Sequence, residues 1–197
     1  MFTGSIIALT VTLAAGQAEA DVRQLYDAGR YQEVVRATDA VAAGANPALQ
    51  FLAAQSLAKL KDDDGARRAY LGLAESREDS WGAIGRSAVQ MMDEQLDEAL
   101  ASADQAVSLG EAVPEAHYQR GMVLMMRRDY DDAANAFAKA VQLAPTFAAA
   151  YYYAGLANSR IKRLDLTANY YGMFIRLAPD APERPQVESI LRTIRGR

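Results

Sequence analysis

A pattern of 34 residues that occurs twice in succession constrains the fold of this chain more than any other feature. Residues 114–147 hold the first copy and residues 148–181 the second. Five marker positions recur in the same order. They are Gly121, Ala133, Phe137, Ala140 and Pro145 in the first copy, and Gly155, Thr167, Tyr171, Phe174 and Pro179 in the second. A fixed period of this length indicates an array of stacked supersecondary units, in which each unit buries its apolar face against the next.

The composition favours helices as the elements of that array. Apolar residues make up 51% of the 197 residues, so the chain has enough material for a core. Only 13 glycines and 6 prolines interrupt it, and apolar residues recur at the three- and four-residue spacing of amphipathic helices. We therefore expect an all-α fold with a single domain.

The repeated pattern resembles the tetratricopeptide repeat (TPR), a helix-turn-helix unit of 34 residues. That unit has small residues at positions 8, 20 and 27, an aromatic near position 24 and a proline at position 32. The resemblance implies a right-handed α-solenoid of about five units, followed by a C-terminal capping helix at 183–197. The predicted units are a partial one at 21–46 and full ones at 47–79, 80–113, 114–147 and 148–181, with Ser80 as an N-cap.

The marker positions are interpreted as packing residues, because the two helices of a unit and the helices of neighbouring units must approach closely. A larger side chain at a small position would overpack the contact. The predicted packing residues are Gly121, Ala133, Phe137, Ala140, Pro145, Gly155, Tyr171 and Pro179.

In proteins of this family the first helix of each unit lines a concave groove, and the resemblance places a partner-binding surface there. The predicted groove residues are Trp81, Ile84, Met91, Met92, Tyr118, Met122, Met125, Met126, Tyr152, Leu156 and Arg160. Methionine adapts to varied apolar partners. The alternative is that these methionines fill gaps between helices. Some family members clamp a C-terminal carboxylate with Lys and Asn, but Tyr118, Met122 and Tyr152 stand at those positions here.

The sequence does not favour catalysis. It has no cysteine and a single histidine, His117, and its acids cluster at helix starts, where capping explains them. We expect no enzyme activity, no cofactor and no metal site. The net charge of −4, with both signs interspersed, does not predict nucleic acid as a partner.

Residues 1–20 resemble a secretory signal peptide. An apolar run from Ile6 to Ala15 precedes Ala18-Glu19-Ala20, a small-residue pattern that predicts cleavage after Ala20. The alternative is a short uncleaved anchor. The predicted location is the periplasm or the exterior, or the membrane surface if the segment is retained.

The function expected from the sequence is that of a protein-interaction scaffold, whose groove binds an apolar peptide or helix of a partner protein. The alternative is a structural accessory subunit of a larger membrane-associated complex, tethered by its N-terminus. Neither prediction identifies the partner.

Overall fold

The computed structural model describes residues 17–39 and 46–196, and every regular element in these two ranges is a helix. The first helix, α1, comprises the described residues 17–27. It is followed by α2 (Tyr31–Asp39), α3 (Pro47–Lys59), α4 (Asp63–Ser76), α5 (Ser80–Met92), α6 (Leu96–Leu109), α7 (Pro114–Arg127), α8 (Tyr130–Leu143), α9 (Ala148–Arg160), α10 (Leu164–Leu177) and α11 (Arg184–Arg195). The fold is thus all-α, as predicted.

Consecutive helices pack side by side from α2 to α11, and this order produces a solenoid of helical hairpins. In each hairpin the odd-numbered helix comes first. The first helices of the later hairpins form one continuous surface. Within it α5 contacts α7 directly, and the ring centroids of Phe51 in α3 and Trp81 in α5 are 6.1 Å apart. We call the surface formed by α3, α5, α7 and α9 the inner face.

Each of the five hairpins has one turn between its two helices, and the five turns have the same geometry. One residue in each turn has a left-handed backbone, and the next residue donates its N–H to a carbonyl five positions back, as in the Schellman motif. The left-handed residues are Gly29, Lys61, Glu94, Arg128 and Lys162. The corresponding bonds, such as Arg163 N to Asn158 O at 2.9 Å, all have lengths of 2.9–3.0 Å. The first unit, predicted to be partial, is therefore a hairpin with the same turn as the others.

Local sequence explains several helix starts. Asn46 accepts backbone N–H groups of Ala48 and Leu49 and precedes Pro47 at the first helical position, an arrangement that favours helix initiation. Asp62 caps α4 through the N–H of Gly65. The predicted cap at Ser80 was wrong by one residue: Asp79 accepts the N–H groups of Trp81 and Gly82, while the Ser80 hydroxyl donates to Ala106 O.

The small marker residues lie where two helices come closest. A Cβ built on Gly121 would lie 2.6 Å from Cε1 of Phe137, and one built on Gly155 would lie 2.5 Å from Cδ1 of Tyr171. Both aromatic rings are almost completely buried, and so are Ala133 and Ala140. Pro145 and Pro179 are exposed and follow the second helix of their hairpins.

The C-terminal helix α11 closes the end of the array. It contacts α10 and buries Val187 and Leu191, while Arg192 and Arg195 are exposed.

A membrane-spanning helix needs a long apolar stretch, and none of the helices in the described ranges has one. Most of the predicted signal segment, residues 1–16, lies outside the described residues, and residues 17–20 belong to α1.

Substituting alanine for Gly121 is expected to lower the free energy of unfolding by up to about 2 kcal/mol. Overpacking against Phe137 costs about 1–3 kcal/mol, and the better helix propensity of alanine offsets about 1 kcal/mol of that. The matched control is Gly72→Ala in α4, where an added Cβ meets no atom within 4 Å and stability should rise by up to about 1 kcal/mol. Urea denaturation followed by circular dichroism measures both. Equal effects at the two sites would show that Gly121 is not a packing contact.

Candidate binding groove

The inner face holds an amphipathic helix, and that helix is α1 of the same chain. Val22 and Tyr26 are buried in one apolar cluster with Val34 of α2 and with Leu49 and Leu52 of α3. Ala149 of α9 packs against the same cluster. The first hairpin thus contacts the last one, so the inner face curves strongly enough to bring α1 and α9 together.

Arg23 fixes one end of α1 to the inner face. Its Nη2 atom lies 2.8 Å from Oε1 of Glu115, near the start of α7. Its guanidinium also lies over the ring of Phe147, 4.9 Å from the centroid, which is a cation–π geometry. Glu115 is only 5% exposed. A carboxylate this buried depends on its partner, so Arg23 and Glu115 form a charge pair that joins α1 to α7.

An open cleft flanks this ion pair. Trp81 and Phe147 line it together with Arg23 and Glu115, at the end of the inner face where α3, α5, α7 and α9 begin. Trp81 is half-buried, so part of its indole ring is accessible to a ligand. This cleft is a polar and aromatic surface that the described residues of α1 border but do not cover.

At its other end α1 borders a small cavity with aromatic walls. The cavity lies between the first hairpin, α3, the last hairpin and the segment before α11. Its lining residues are Tyr26, Asp27, Tyr31, Lys59, Ala149, Tyr152, Tyr153, Phe174 and Glu183. Lys59 Nζ and Glu183 Oε1 are 3.0 Å apart and form an ion pair across it. The cavity therefore marks a junction between the two ends of the array.

Asp27 faces this cavity in an environment that favours its protonated form. Burial raises the pKa of the Asp27 carboxyl from 3.8 to about 7, the Glu183 carboxylate adds to the rise, and Arg23 partly opposes it. The other charged or titratable groups facing it are Lys59 of α3, Tyr31 of α2 and the two α9 tyrosines that line the cavity. Asp27 is thus a half-buried acid whose ionisation acts on the junction of α1 with the last hairpin.

The core of the inner face is aromatic. The ring of Tyr118 lies 5.0 Å from Phe147, 5.7 Å from Phe137 and 5.8 Å from Tyr153, measured between centroids. Phe51 of α3 approaches the same ring at 6.4 Å. Because rings from α3 and α9 meet over α7, Tyr118 is only 2% exposed.

Two predicted groove residues are therefore corrected: Tyr118 and Ile84 belong to the core. Ile84 is completely buried in the same main apolar cluster as Tyr118. The reason is the curvature of the array, which places neighbouring helices over positions that would be open on a flatter solenoid. In this structure these two side chains offer no surface to a partner.

The predicted methionines do not form one stripe on the inner face. Met91 packs against Ala99, Ala103 and Val123 between helices, while Met92, Met122 and Met125 are partly buried against the main core. Met126 is 45% exposed and lies beside the turns after α5 and α7.

Trp81 and Tyr152 stand at openings next to α1, in the cleft and the cavity respectively. Leu156 is half-buried and Arg160 is exposed near the end of α9.

Sequence reasoning missed the residues that hold α1 on the inner face. Arg23 and Glu115 are 92 positions apart, and neither stands at a marker position of the repeat. The sequence signal that was available for packing on the inner face is the aromatic content. The chain has 10 tyrosines and 5 phenylalanines, and many of them lie in first helices.

Within the described ranges no group of three or more His, Asp or Glu side chains is arranged to hold a metal ion.

Comparison with known proteins supports the repeat and the fold. Residues 114–147 match the family model described as "Tetratricopeptide repeat". A thermophilic TPR protein of Thermus thermophilus has a similar crystal structure, with a TM-score of 0.62, 21% identity, and coverage of 90% of this chain and 98% of that one. No curated protein matches the sequence.

Two further structures are similar. YrrB, described as a TPR protein with an unusual peptide-binding site, has a TM-score of 0.54 and 20% identity over 91% of this chain and 88% of its own. The first TPR domain of Spaghetti (RPAP3), bound to an HSP90 peptide, has a TM-score of 0.56 and 18% identity over 60% of this chain and 92% of its own. At such identities the likeness is one of fold. Residues 114–147 thus match a tetratricopeptide repeat, and the chain has the fold of a TPR-type solenoid.

The raised pKa of Asp27 predicts a pH dependence of stability. Between about pH 4 and pH 7 the unfolded chain has lost this proton while the folded chain keeps it, so the free energy of unfolding falls as pH rises. Asp27→Asn removes this contribution. Relative to the parent, the variant should gain about 2–3 kcal/mol between pH 5 and pH 7, since each pH unit is worth about 1.4 kcal/mol.

Urea denaturation of both proteins at several pH values measures the difference. The control is Asp180→Asn, which alters an exposed acid outside the cavity. Parallel stability curves for Asp27→Asn and the parent would show that Asp27 is ionised in the fold throughout this range.

Proposed function

We propose that this protein is a protein-interaction scaffold that binds a helical segment of a partner protein on its inner face. The observation that carries the proposal is the position of α1, an amphipathic helix seated there through Val22, Tyr26 and Arg23. A surface that accommodates one helix by apolar contacts and a charge pair has the features of a helix-binding groove. The cleft beside Trp81 leaves part of that surface open.

The similar structures support a binding role. The Spaghetti domain and the second TPR domain of human RPAP3 are described in complex with HSP90 and HSP70 peptides. For the present chain, binding of an extended peptide with a clamped carboxylate is not favoured, because buried Tyr118 and half-buried Met122 and Tyr152 stand at the clamp positions. The aromatic walls and the acid Glu115 favour an apolar segment that also carries a positive charge.

Binding rather than catalysis fits the placement of the acids. Asp62 and Asp79 cap helices, and Asp97, Asp104 and Asp131 pair with arginines of neighbouring helices. Each has a structural partner of its own, so none of them forms a set of converging catalytic groups. We accordingly propose that the protein acts without a cofactor.

Site-specific photo-crosslinking tests the proposed binding surface. Benzoylphenylalanine replaces Trp81 or Tyr152 on the inner face, or Lys139 on the exposed side of α8 as the control. In extracts of the native organism, the two inner positions should crosslink to the same partner segment and Lys139 should not. Mass spectrometry of the crosslinked peptides identifies the segment. Crosslinks from Lys139 alone, or none from either inner position, would contradict the proposal.

We further propose export of the protein with cleavage after Ala20. The supporting feature is the sequence pattern of residues 1–20. Such cleavage retains Val22, Arg23 and Tyr26, which contact the inner face, and removes Glu19, whose carboxylate accepts a hydrogen bond from Asn46 at the start of α3.

Intact-mass measurement of the protein from its native source tests this point. A mature chain that starts at Asp21 supports a periplasmic or secreted adaptor. A chain that starts at Met1 or Phe2 supports the tethered accessory subunit instead.

A further inference from the structure

The ion pair between Arg23 and Glu115 constrains what can occupy the inner face. Glu115 is 5% exposed, and Arg23 is the cation that the structure places against it. Removing one partner of a buried pair leaves an uncompensated charge, which is strongly unfavourable. An occupant that replaced α1 would therefore need a positive group at the same point.

The first hairpin lies at one end of the described array and buries few residues. In the described residues α1 buries only Val22 and Tyr26, and α2 buries only Val34. By comparison α7 buries eight residues and α5 buries seven. Segments with few buried contacts open locally at a lower free energy than the rest of the fold.

The helicity of α1 depends on the surface beneath it. With the proposed cleavage after Ala20, α1 keeps residues 21–27, fewer than the roughly 12–15 residues that an isolated helix needs in water. Its outward residues, such as Asp21 and Gln24, are exposed. Thus α1 resembles a bound helical peptide that happens to be covalently linked to its site.

We infer that α1 is an exchangeable internal ligand, and that the partner is an amphipathic helix with the same recognition pattern. The pattern is an apolar residue, an arginine next to it and an aromatic residue four positions after the first, as in Val22, Arg23 and Tyr26. The arginine of the partner meets Glu115 and lies over Phe147, and its apolar residues take the places of Val22 and Tyr26. This inference rests on the proposed helix-binding function and specifies its partner class.

Covalent linkage makes α1 an effective competitor. A linked segment acts at an effective concentration of about millimolar, so a free helix of similar intrinsic affinity binds the closed protein only weakly. The partner must therefore bind more tightly than α1 or meet a protein whose first hairpin is already open. In this way α1 sets an affinity threshold for binding.

The test uses the full chain and a fluorescent peptide of residues 17–30 as the probe. Val22→Asp in the protein places a charge in the apolar cluster and weakens the seating of α1. By fluorescence anisotropy, the wild-type peptide should bind the Val22→Asp protein at least tenfold more tightly than it binds the parent. The matched control protein carries Gln24→Asp, an equivalent change on the exposed side of α1 that should bind the peptide like the parent.

A charge exchange tests the specificity. A peptide with Arg23→Glu should bind the Val22→Asp protein at least tenfold more weakly than the wild-type peptide does. Adding Glu115→Arg to that protein should restore binding of the Arg23→Glu peptide. Equal binding of the two peptides would overturn the assigned charge recognition.

Hydrogen exchange of the parent protein gives a readout that needs no variant to fold. Backbone amides of residues 22–27 should exchange at least tenfold faster than those in the middle of α7. If they exchange only with global unfolding, or if folded Val22→Asp protein binds no peptide, α1 is a permanent repeat helix and the inference fails. Peptide-induced dimers of the protein, detected by light scattering, would instead assign the exchange to a second copy and also overturn it.

The outcome is separable from that of the proposed function. If the peptide fails to exchange while Trp81 and Tyr152 still crosslink to a partner segment, the scaffold binds its partner beside α1. If neither inner position crosslinks, the binding function itself is refuted.

Discussion

The contact between a small residue on one helix and an aromatic ring on the next determines the geometry of this array. Gly121 meets Phe137, and Gly155 meets Tyr171, at distances that leave no room for a Cβ. Gly85 of α5 allows a different close approach, to the backbone of the preceding helix α4, where a Cβ would lie 2.6 Å from the carbonyl oxygen of Tyr70. Because the helices approach this closely, the two helices of each of these hairpins cross at a defined angle. The hairpins stack so that the inner face curves until the first hairpin contacts the last one.

The repeated turns show how the fold tolerates local strain. A left-handed backbone suits glycine, and Gly29 fills that role in the first turn. The other four turns place Lys61, Glu94, Arg128 and Lys162 in the same conformation, at a cost of about 1–2 kcal/mol each. The backbone bond across each turn satisfies helix-end carbonyls and helps to offset that cost. Long charged side chains at these sites extend into water, so the turns remain soluble.

Sequence alone predicted what depends on local pattern. The 34-residue period and the small positions each follow from interactions within one hairpin or between neighbours, and both are visible in the order of residues. The burial of Tyr118 and Ile84 does not follow from such patterns, because it depends on rings and helices contributed by distant units. The pairing of Arg23 with Glu115 is of the same kind. A small angle between neighbouring hairpins decides it, and no residue type encodes that angle directly.

The closed inner face places opposing demands on α1. Burial of Tyr26 and Val22 stabilises the fold, whereas Asp27 destabilises it because its carboxyl is held where ionisation is unfavourable. The Arg23–Glu115 pair adds little net stability compared with an apolar contact. Because Glu115 is buried, however, only a cation is tolerated opposite it. A helix chosen for stability alone would not combine a disfavoured acid with a costly buried ion pair. These two features fix the register and charge of the helix on the inner face, and such selectivity is what a surface needs when it must distinguish one helix from another.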